Sequence, residues 1–482
     1  VAAVRFPPDQ RAAAAALSAG YARLLDRVEA EPGLLARERY GAMIEAARRR
    51  IPVFLGFDPQ ADYGLQAWPL ILSAERQEEM AAASLGLVRL LCDLPRRLFG
   101  ADAAAMKRFY GLESDMLAML LLAEPTGIPQ IISRLDLVDT AAGLKCMEVN
   151  VGNPAAWQDN VVSPVYLGRD SPFADLLEEA GATWVDTASH LLRHAVRCGV
   201  ADPVTDGGEL NVAVLVGTYS DRYSKDNHPE PHYQRHFARA LAELGKGHRG
   251  RLFVVDNDEL TFEGNALVLG GRRIHVVFGD VEEQNRQHLF RAFKAGNLVH
   301  LSSPIGPMVL GDKRNLAVLS EHAADPGSDL LDAAERRVVE RHLPWTRRVR
   351  TDAEASFQGG PARPVADLLR EHRRDMVLKG ALSFGGEDVV VGRVTDAEEW
   401  DEAVETALDH GGWIAQKYLD AVTYPLQLGE EGWAPHRVIW GPWVAGDEYA
   451  GLFVRLMPEA KGPVVNMVTG ATVGMGFAEA PG

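Results

Sequence analysis

The spacing of apolar residues changes character twice along the chain. Over the first 125 residues or so it is helical. Residues 8–50 read as a helix, a break at Glu31-Pro32-Gly33 and a second helix whose basic end, Arg48-Arg49-Arg50, suits the negative pole of a helix dipole. After the apolar Val53-Phe54-Leu55 and a turn-rich segment, Ser73 is placed to cap a helix running to about Leu91, with Glu75 and Glu78 near its start and one apolar face. More helix is expected over 101–110 and 114–123. Nothing in this region demands a chemical role.

From Pro129 the period drops to that of strands. The stretch 129–157 holds an apolar-rich strand, a polar turn at residues 139–143, and a second strand ending in a carboxylate and an amide. Residues two apart on a strand share a face, so Arg134 and Asp136 point one way, as do Glu148 and Asn150. Paired as a hairpin, Asp136, Glu148 and Asn150 converge as three oxygen donors beside one guanidinium, a set suited to Mg2+ and phosphate rather than to zinc or copper. Standing alone, such a hairpin reads first as the wet face of a half-buried sheet. Farther on, NVAVLVG at 211–217, a helix over 231–244 and RLFVVDNDEL make a βαβ pattern, hence a parallel sheet, without the GxGxxG of a dinucleotide site. A hairpin turning at Gly270-Gly271 follows. The polar, aromatic loop 219–232, with Arg222, Lys225 and His228, is a substrate-loop candidate or simply a solvated one.

The last third interleaves both patterns. DKRNLAVLSEH is helical with Lys313 in its first turn, against the usual dipole preference and so a hint of a nearby anion. A helix stopped at Pro344 follows. Residues 376–393, MVLKGALSFGGEDVVVGR, are two apolar runs around a glycine-rich loop with Lys379 at its entrance. The backbone of Ser383, Phe384, Gly385 and Gly386 can approach an anion closely, and Lys379 adds a positive charge to it; taken alone the stretch is also an ordinary Gly-Gly hairpin. Thr395 with Glu398 offers a capping box for a helix to His410, with Trp400, Ala403, Val404, Ala407 and Leu408 on one face and Gly411 to end it. A strand ending in Gln416 and Lys417 comes next. Trp413, Trp433, Trp440 and Trp443 crowd the remainder, where EYAGLFVRLMP and GPVVNMV read as strands.

Composition narrows the classes. With 482 residues, 47% of them apolar, the chain can bury a large core in about two or three domains. A formal charge of −17 argues against a nucleic-acid partner held through phosphates. Three distant cysteines form neither a disulfide framework nor a zinc motif, which fits a reducing cytosol. No apolar run has membrane-spanning length and the N-terminal segment lacks a signal-peptide core, so the expectation is a cytoplasmic protein without a membrane partner. The hydroxyls and histidines have no motif context for a Ser/His/Asp triad.

Taken together, the lysine-bearing helix, the strand with Lys379, the glycine loop, a helix and a strand ending Gln416-Lys417-Tyr418-Leu419 follow the order of an ATP-grasp nucleotide lid. On the stretches SRLDLVD, LKCMEVNVGNPAAW, HLPWTRRVR, VLKGALSFGGEDVVVG and WIAQKYL, with looser similarity from about Pro52 onward, the chain resembles the circularly permuted ATP-grasp proteins related to the synthetase domain of glutathionylspermidine synthetase. Permutation accounts for a carboxylate hairpin that precedes the lid. The resemblance implies that Lys313 and Lys379 contact the phosphates of ATP, that Ser383, Phe384, Gly385 and Gly386 cover them, and that Gln416, Lys417 and Leu419 lie along the adenine edge. It implies that Asp136, Glu148 and Asn150 hold Mg2+, and that Arg134 meets the transferring phosphoryl group and the later oxyanion. Gly380 departs from relatives, which often carry proline after the lysine.

The fold class implied is α/β (α+β), a circularly permuted ATP-grasp with mixed sheets, a helical N-terminal region and a βαβ subdomain. Its parts would be a helical region 1–128, the metal-ligand hairpin region 129–205, a βαβ unit 206–310, the nucleotide lid 311–425 and returning strands 426–482. The activity implied is an ADP-forming, ATP- and Mg2+-dependent ligase joining a small-molecule carboxylate to an amine. A small-molecule kinase and a catalytically retired nucleotide-binding protein stay open, because fold does not prove reaction. The segment VLK at 377–379 is similar to a kinase strand, but here the glycine loop follows the lysine and no HRD or DFG appears.

Overall fold

Short apolar runs, buried on both faces or on one, assemble into the sheets that carry the site in the computed structural model. It describes residues 5–31, 42–43, 46, 66, 68–113, 129–152, 159–202, 208–216, 228–383, 388–428, 432–466 and 470–480. The expected helix at 114–123, the basic end at 48–50, Val53-Phe54-Leu55, most of the loop 219–232 and the loop residues Phe384, Gly385 and Gly386 lie outside these.

The carboxylate hairpin forms as Ile132–Thr140 paired antiparallel with Gly143–Val151. Its turn is tighter than the polar stretch 139–143 suggested. Asp139 and Thr140 stay in the strand because Asp139 is buried on partners of its own, and Gly143, at φ 89°, supplies the left-handed backbone the turn needs. The hairpin forms one end of a six-stranded sheet. Its neighbours, in order, are Gly432–Ala445, Glu448–Pro458 and Thr472–Gly474, with Thr423–Leu428 also paired to Gly432–Ala445. Strands from the last sixty or so residues therefore lie directly beside the strand that carries Arg134 and Asp136.

The βαβ pattern becomes a four-stranded parallel sheet in the order Val299–His300, Val276–Asp280, Val212–Val216, Leu252–Val255. Every residue of Val212–Val216 is buried, which is why that run shows no alternation. Helix Glu230–Leu244 makes the crossover, and Gly270-Gly271, both at positive φ, turn the small hairpin of Ala266–Leu269 and Arg272–Arg273.

The stretch expected to form a nucleotide lid folds into an antiparallel sheet in the order Thr346–Arg348, Trp413–Lys417, Met376–Gly380, Val389–Val391. Helix Ala397–His410 covers it with Trp400, Val404 and Ala407 and ends at Gly411. Its N-cap is Asp396, which accepts from Glu399 N at 2.9 Å, and not the expected Thr395–Glu398 box. The Thr395 hydroxyl is turned back onto Val391 O at 2.9 Å, so it is unavailable to the helix.

In the N-terminal region Ser18 separates Pro8–Leu17 from Ala19–Ala30 and caps the latter, a break ahead of the one at Glu31. Ser73 caps its helix as expected, but the helix continues to Phe99 because Leu94 and Pro95 prolong the buried face. Among the described residues no helix is long and apolar enough to cross a membrane.

Candidate functional site

The hairpin sets Asp136 opposite Glu148 and Arg134 opposite Asn150. Beyond Asp136 the register slips: Leu137 faces Cys146, which leaves Met147 as the extra residue of a β-bulge. A bulge residue drops out of the ladder, and the Met147 carbonyl accepts instead from Lys379 Nζ at 3.3 Å. Asp136 is buried between two arginines, with Arg455 Nη2 2.5 Å from Oδ2 and Arg134 Nε 3.6 Å from Oδ1. The Arg134 guanidinium lies 5.1 Å from the centroid of Phe453 and 5.6 Å from that of Trp443, a cation held by two ring faces. Asn150 Nδ2 donates to Arg134 O at 3.5 Å.

The lid brings the lysines. Lys379, on the lid's Met376–Gly380 strand, donates to Gln416 Oε1 at 2.7 Å, and Gln416 Nε2 donates on to Thr346 Oγ1 at 3.2 Å, so three adjacent lid strands orient one ammonium. Lys313 stands at the N-cap position of helix Arg314–Ala324 rather than within its first turn. Its Nζ is 3.2 Å from Glu148 Oε1 and donates to Ser383 O at 2.5 Å, while its backbone N–H donates to Ala381 O at 3.0 Å. The helix start is held by the Arg314 guanidinium on buried Asp312 and by Tyr110 Oη donating to Asn315 at 2.7 Å.

Four cations, Lys313, Lys379, Arg134 and Arg455, thus surround two carboxylates in a chain that is strongly acidic overall. Burial pushes the Lys379 ammonium below the ordinary lysine range, Lys313 adds to that, and Glu148 opposes it. Burial likewise brings Arg134 down to about 10. Burial alone would raise the Asp136 carboxyl, but Arg455 and Arg134 outweigh it and hold the group below the usual range. Buried charge with an excess of one sign is costly unless an anion completes it. A polyphosphate is such an anion.

The donor set also fits a hard divalent cation. Asp136, Glu148 and Asn150 offer oxygen only, and Asp136 Oδ1 is buried without a hydrogen-bond partner among the described residues. No group of three or more His, Cys, Asp or Glu able to hold a metal occurs among those residues; here the third donor is an amide.

The remaining expected residues divide. Ser383 Oγ donates to Gly380 O at 3.1 Å, at the mouth of the loop. Leu419 packs with Met147 against a small apolar cluster of Val138, Ile439, Met457 and Val465, beside the contact that Lys379 makes. Lys417 is exposed, and its charge lies near Lys145. Gly380 has a local reason. Its N–H donates to Asp388 O at 3.0 Å, and a Cβ there would stand 3.0 Å from that of Asp388, so proline would lose the bond and crowd the turn. Of the loop 219–232, Arg222 and Lys225 lie outside the described residues, and His228 Nδ1 accepts from Glu230 N at 3.3 Å within its own turn.

Two charged features around the hairpin escaped the sequence reading. Arg455 is one; its signal is a lone charge inside the apolar run Leu452 to Met457. Asp139 is the other, taken for a turn residue. Its Oδ2 accepts from Tyr424 Oη at 2.7 Å and Trp440 Nε1 at 2.9 Å, and its carboxylate pairs with Arg76. On the opposite strand Lys145 Nζ donates to Arg341 O at 2.6 Å. The hairpin is therefore clamped between helices Ala74–Phe99 and Ala333–His342, which are themselves joined by Arg97 with Glu335 and Arg341 with Glu79, each at 2.7 Å.

No protein-family model matches the chain, and no curated protein matches it. Among solved structures, the apoform of a glutathione synthetase-like effector from Globodera pallida aligns over 92% of this chain and 96% of that one, with a TM-score of 0.55 and 10% identity. A protein from Methylobacillus flagellatus carrying a gamma-glutamylcysteine synthetase assignment aligns over 80% and 87%, with a TM-score of 0.37 and 11% identity, too loose a match to argue from. At these identities the likeness concerns architecture alone. In its mixed α/β fold of several sheets, this chain is similar over nearly its whole length to the glutathione synthetase-like effector.

Proposed function

We propose that the chain is an ATP- and Mg2+-dependent carboxylate-amine ligase that forms an amide or peptide-like bond and releases ADP and phosphate. Its core would be an ATP-grasp permuted so that the metal-binding hairpin precedes the lid, with parts meeting near residues 128, 205, 310 and 425. The observation that carries this reading is the convergence on Glu148 and Met147 of the hairpin of two ammonium groups, Lys313 and Lys379, from a helix and a sheet that follow it far along the chain. The fold likeness to a glutathione synthetase-like protein supports it.

In this reading the phosphates of ATP take over Lys313 and Lys379, residues 383–386 fold across them, and the base lies by Leu419 along the 416–419 edge. Asp136, Glu148 and Asn150 would hold Mg2+, which when bound neutralises charge on the phosphate oxygens. The substrate carboxylate attacks the γ-phosphorus as the bond to ADP breaks. The acyl phosphate so formed has a good leaving group. A neutral amine then attacks the acyl carbon, the oxyanion of the tetrahedral species falls to Arg134 and Arg455, and the C–O bond to phosphate breaks, the departing phosphate taking up the proton that the nitrogen loses. Each step asks for alignment and charge neutralisation, for which arginine alone is worth ~10³-fold or more in some phosphoryl-transfer enzymes. No protein nucleophile is required.

The test is ADP release across pooled amino acids, other carboxylic acids and amines, with mass spectrometry of the product. An amide formed with equimolar ADP and phosphate is expected, and Glu148→Ala abolishes metal-dependent turnover. A phosphorylated product without free phosphate would assign a kinase instead. ATP binding with no ADP release across the panel would assign a retired nucleotide-binding protein.

A further inference from the structure

Glu148, one of the carboxylates read as a metal ligand, is already paired with a cation of the protein itself. Glu148 Oε1 faces Lys313 Nζ at 3.2 Å, and that ammonium is only 4% exposed on its side chain. The same Nζ donates to Ser383 O at 2.5 Å, and Lys313 N donates to Ala381 O at 3.0 Å, so the contact also ties the mouth of the lid loop to the hairpin. Lys379 lies in the same field but bonds Gln416 Oε1 and Met147 O. A bare divalent ion approaching Glu148 meets the field of a buried ammonium held on Oε1, whereas one arriving with a polyphosphate brings the acceptor to which Lys313 can transfer.

We propose that Glu148 is a masked metal ligand: Lys313 closes the site to free divalent cations and opens it only when a polyphosphate anion takes the lysine's charge. This rests on reading the site as a nucleotide and metal centre and adds an order to it, metal and nucleotide entering together. By linkage, the factor by which phosphate strengthens metal binding is the factor by which metal strengthens phosphate binding.

The test is Mn2+ binding to the full chain without nucleotide, followed by electron paramagnetic resonance of the free ion. Wild type should bind Mn2+ weakly. Lys313→Gln should bind it at least roughly tenfold more tightly, equivalent to ~1.4 kcal/mol. Lys379→Gln removes the same charge from the same field without touching Glu148, so its gain should be clearly smaller, and Lys313→Arg should resemble wild type. Equal gains in Lys313→Gln and Lys379→Gln, or none in either, overturn the proposal. A measurement on wild type alone guards against variants that fail to fold. Crystals soaked in Mn2+ should show no anomalous peak at Glu148, and crystals soaked in Mn2+ with ADP should show one; a peak with Mn2+ alone overturns the proposal. Isothermal titration with ATP and Mg2+ separates the two readings. ATP binding without the Mn2+ gain in Lys313→Gln sinks the mask alone, and the gain without any ATP binding sinks the nucleotide reading alone.

Discussion

Asp136 lies between two arginines, one from its own strand and one from the far end of the chain, and the two are not equivalent. Arg455 is the nearer, at 2.5 Å, and lowers the Asp136 carboxyl more than Arg134 does. Replacing Arg455 by Met should cut kcat by about 10²–10³, the typical loss for one transition-state donor, while ATP affinity changes far less. The same variant lets the Asp136 carboxyl rise, so the acid limb of the pH profile for Mg2+-dependent turnover should move to higher pH, and Arg455→Lys should move it part of the way back. An unchanged acid limb in Arg455→Met would show that Arg455 does not act through Asp136. Asp136 and Glu148 were legible through strand alternation on a hairpin, and Lys379 through its place at the entrance of the glycine-rich loop. Arg455 was not, since its partner lies on a strand that only the sheet order brings near.

The hairpin depends on a polar clamp. Asp139 joins it to helix Ala74–Phe99 through Arg76, and to the strands Thr423–Leu428 and Gly432–Ala445 through Tyr424 and Trp440. Breaking a buried charged network by removing one partner costs about 3–5 kcal/mol, because the survivors stay buried and unpaired. Asp139→Ala should therefore lower unfolding stability by that order in urea titrations, whereas Tyr424→Phe should lose only about 1 kcal/mol. Equal, small losses in both would mean that the carboxylate is not the hub. Most strand and helix types followed from periodicity, but their ends did not, and the expected strand GPVVNMV is not one over its described residues 462–466. The turn after Asp139, the cap at Asp396 and the extension to Phe99 were each decided by what the flanking side chains meet in space.

The whole molecule should lose stability as pH falls from neutral. Burial brings His194 and His300 down to about 4, against an ordinary value of 6.5. Between those limits the unfolded chain binds protons that the folded one refuses, so stability is complete above about 6.5 and falls toward 4, by about 1.4 kcal/mol per pH unit for each such histidine. Asp280 works the other way. Burial raises its carboxyl to about 6, and it favours the folded state increasingly as pH drops through that value. These two histidines alone outweigh Asp280, and burial brings His232 down to about 4 as well, so the urea midpoint at pH 5 should lie below that at pH 7, and His300→Gln should flatten the dependence. A midpoint independent of pH would place these histidines in contact with solvent.

The amino-acid order by itself determined the kinds of element, the parallel βαβ unit, the lid hairpin and most of the candidate donors. These depend on periodicity and local backbone preference, which act over a few residues and are written in consecutive letters. Tertiary structure decided which strand lies beside Asp136, that a bulge turns the Met147 carbonyl toward Lys379, and that Lys313 rests on Glu148. Those facts arise from sheet order and from the balance of buried charges, which couple residues far apart in the chain and leave no period to read.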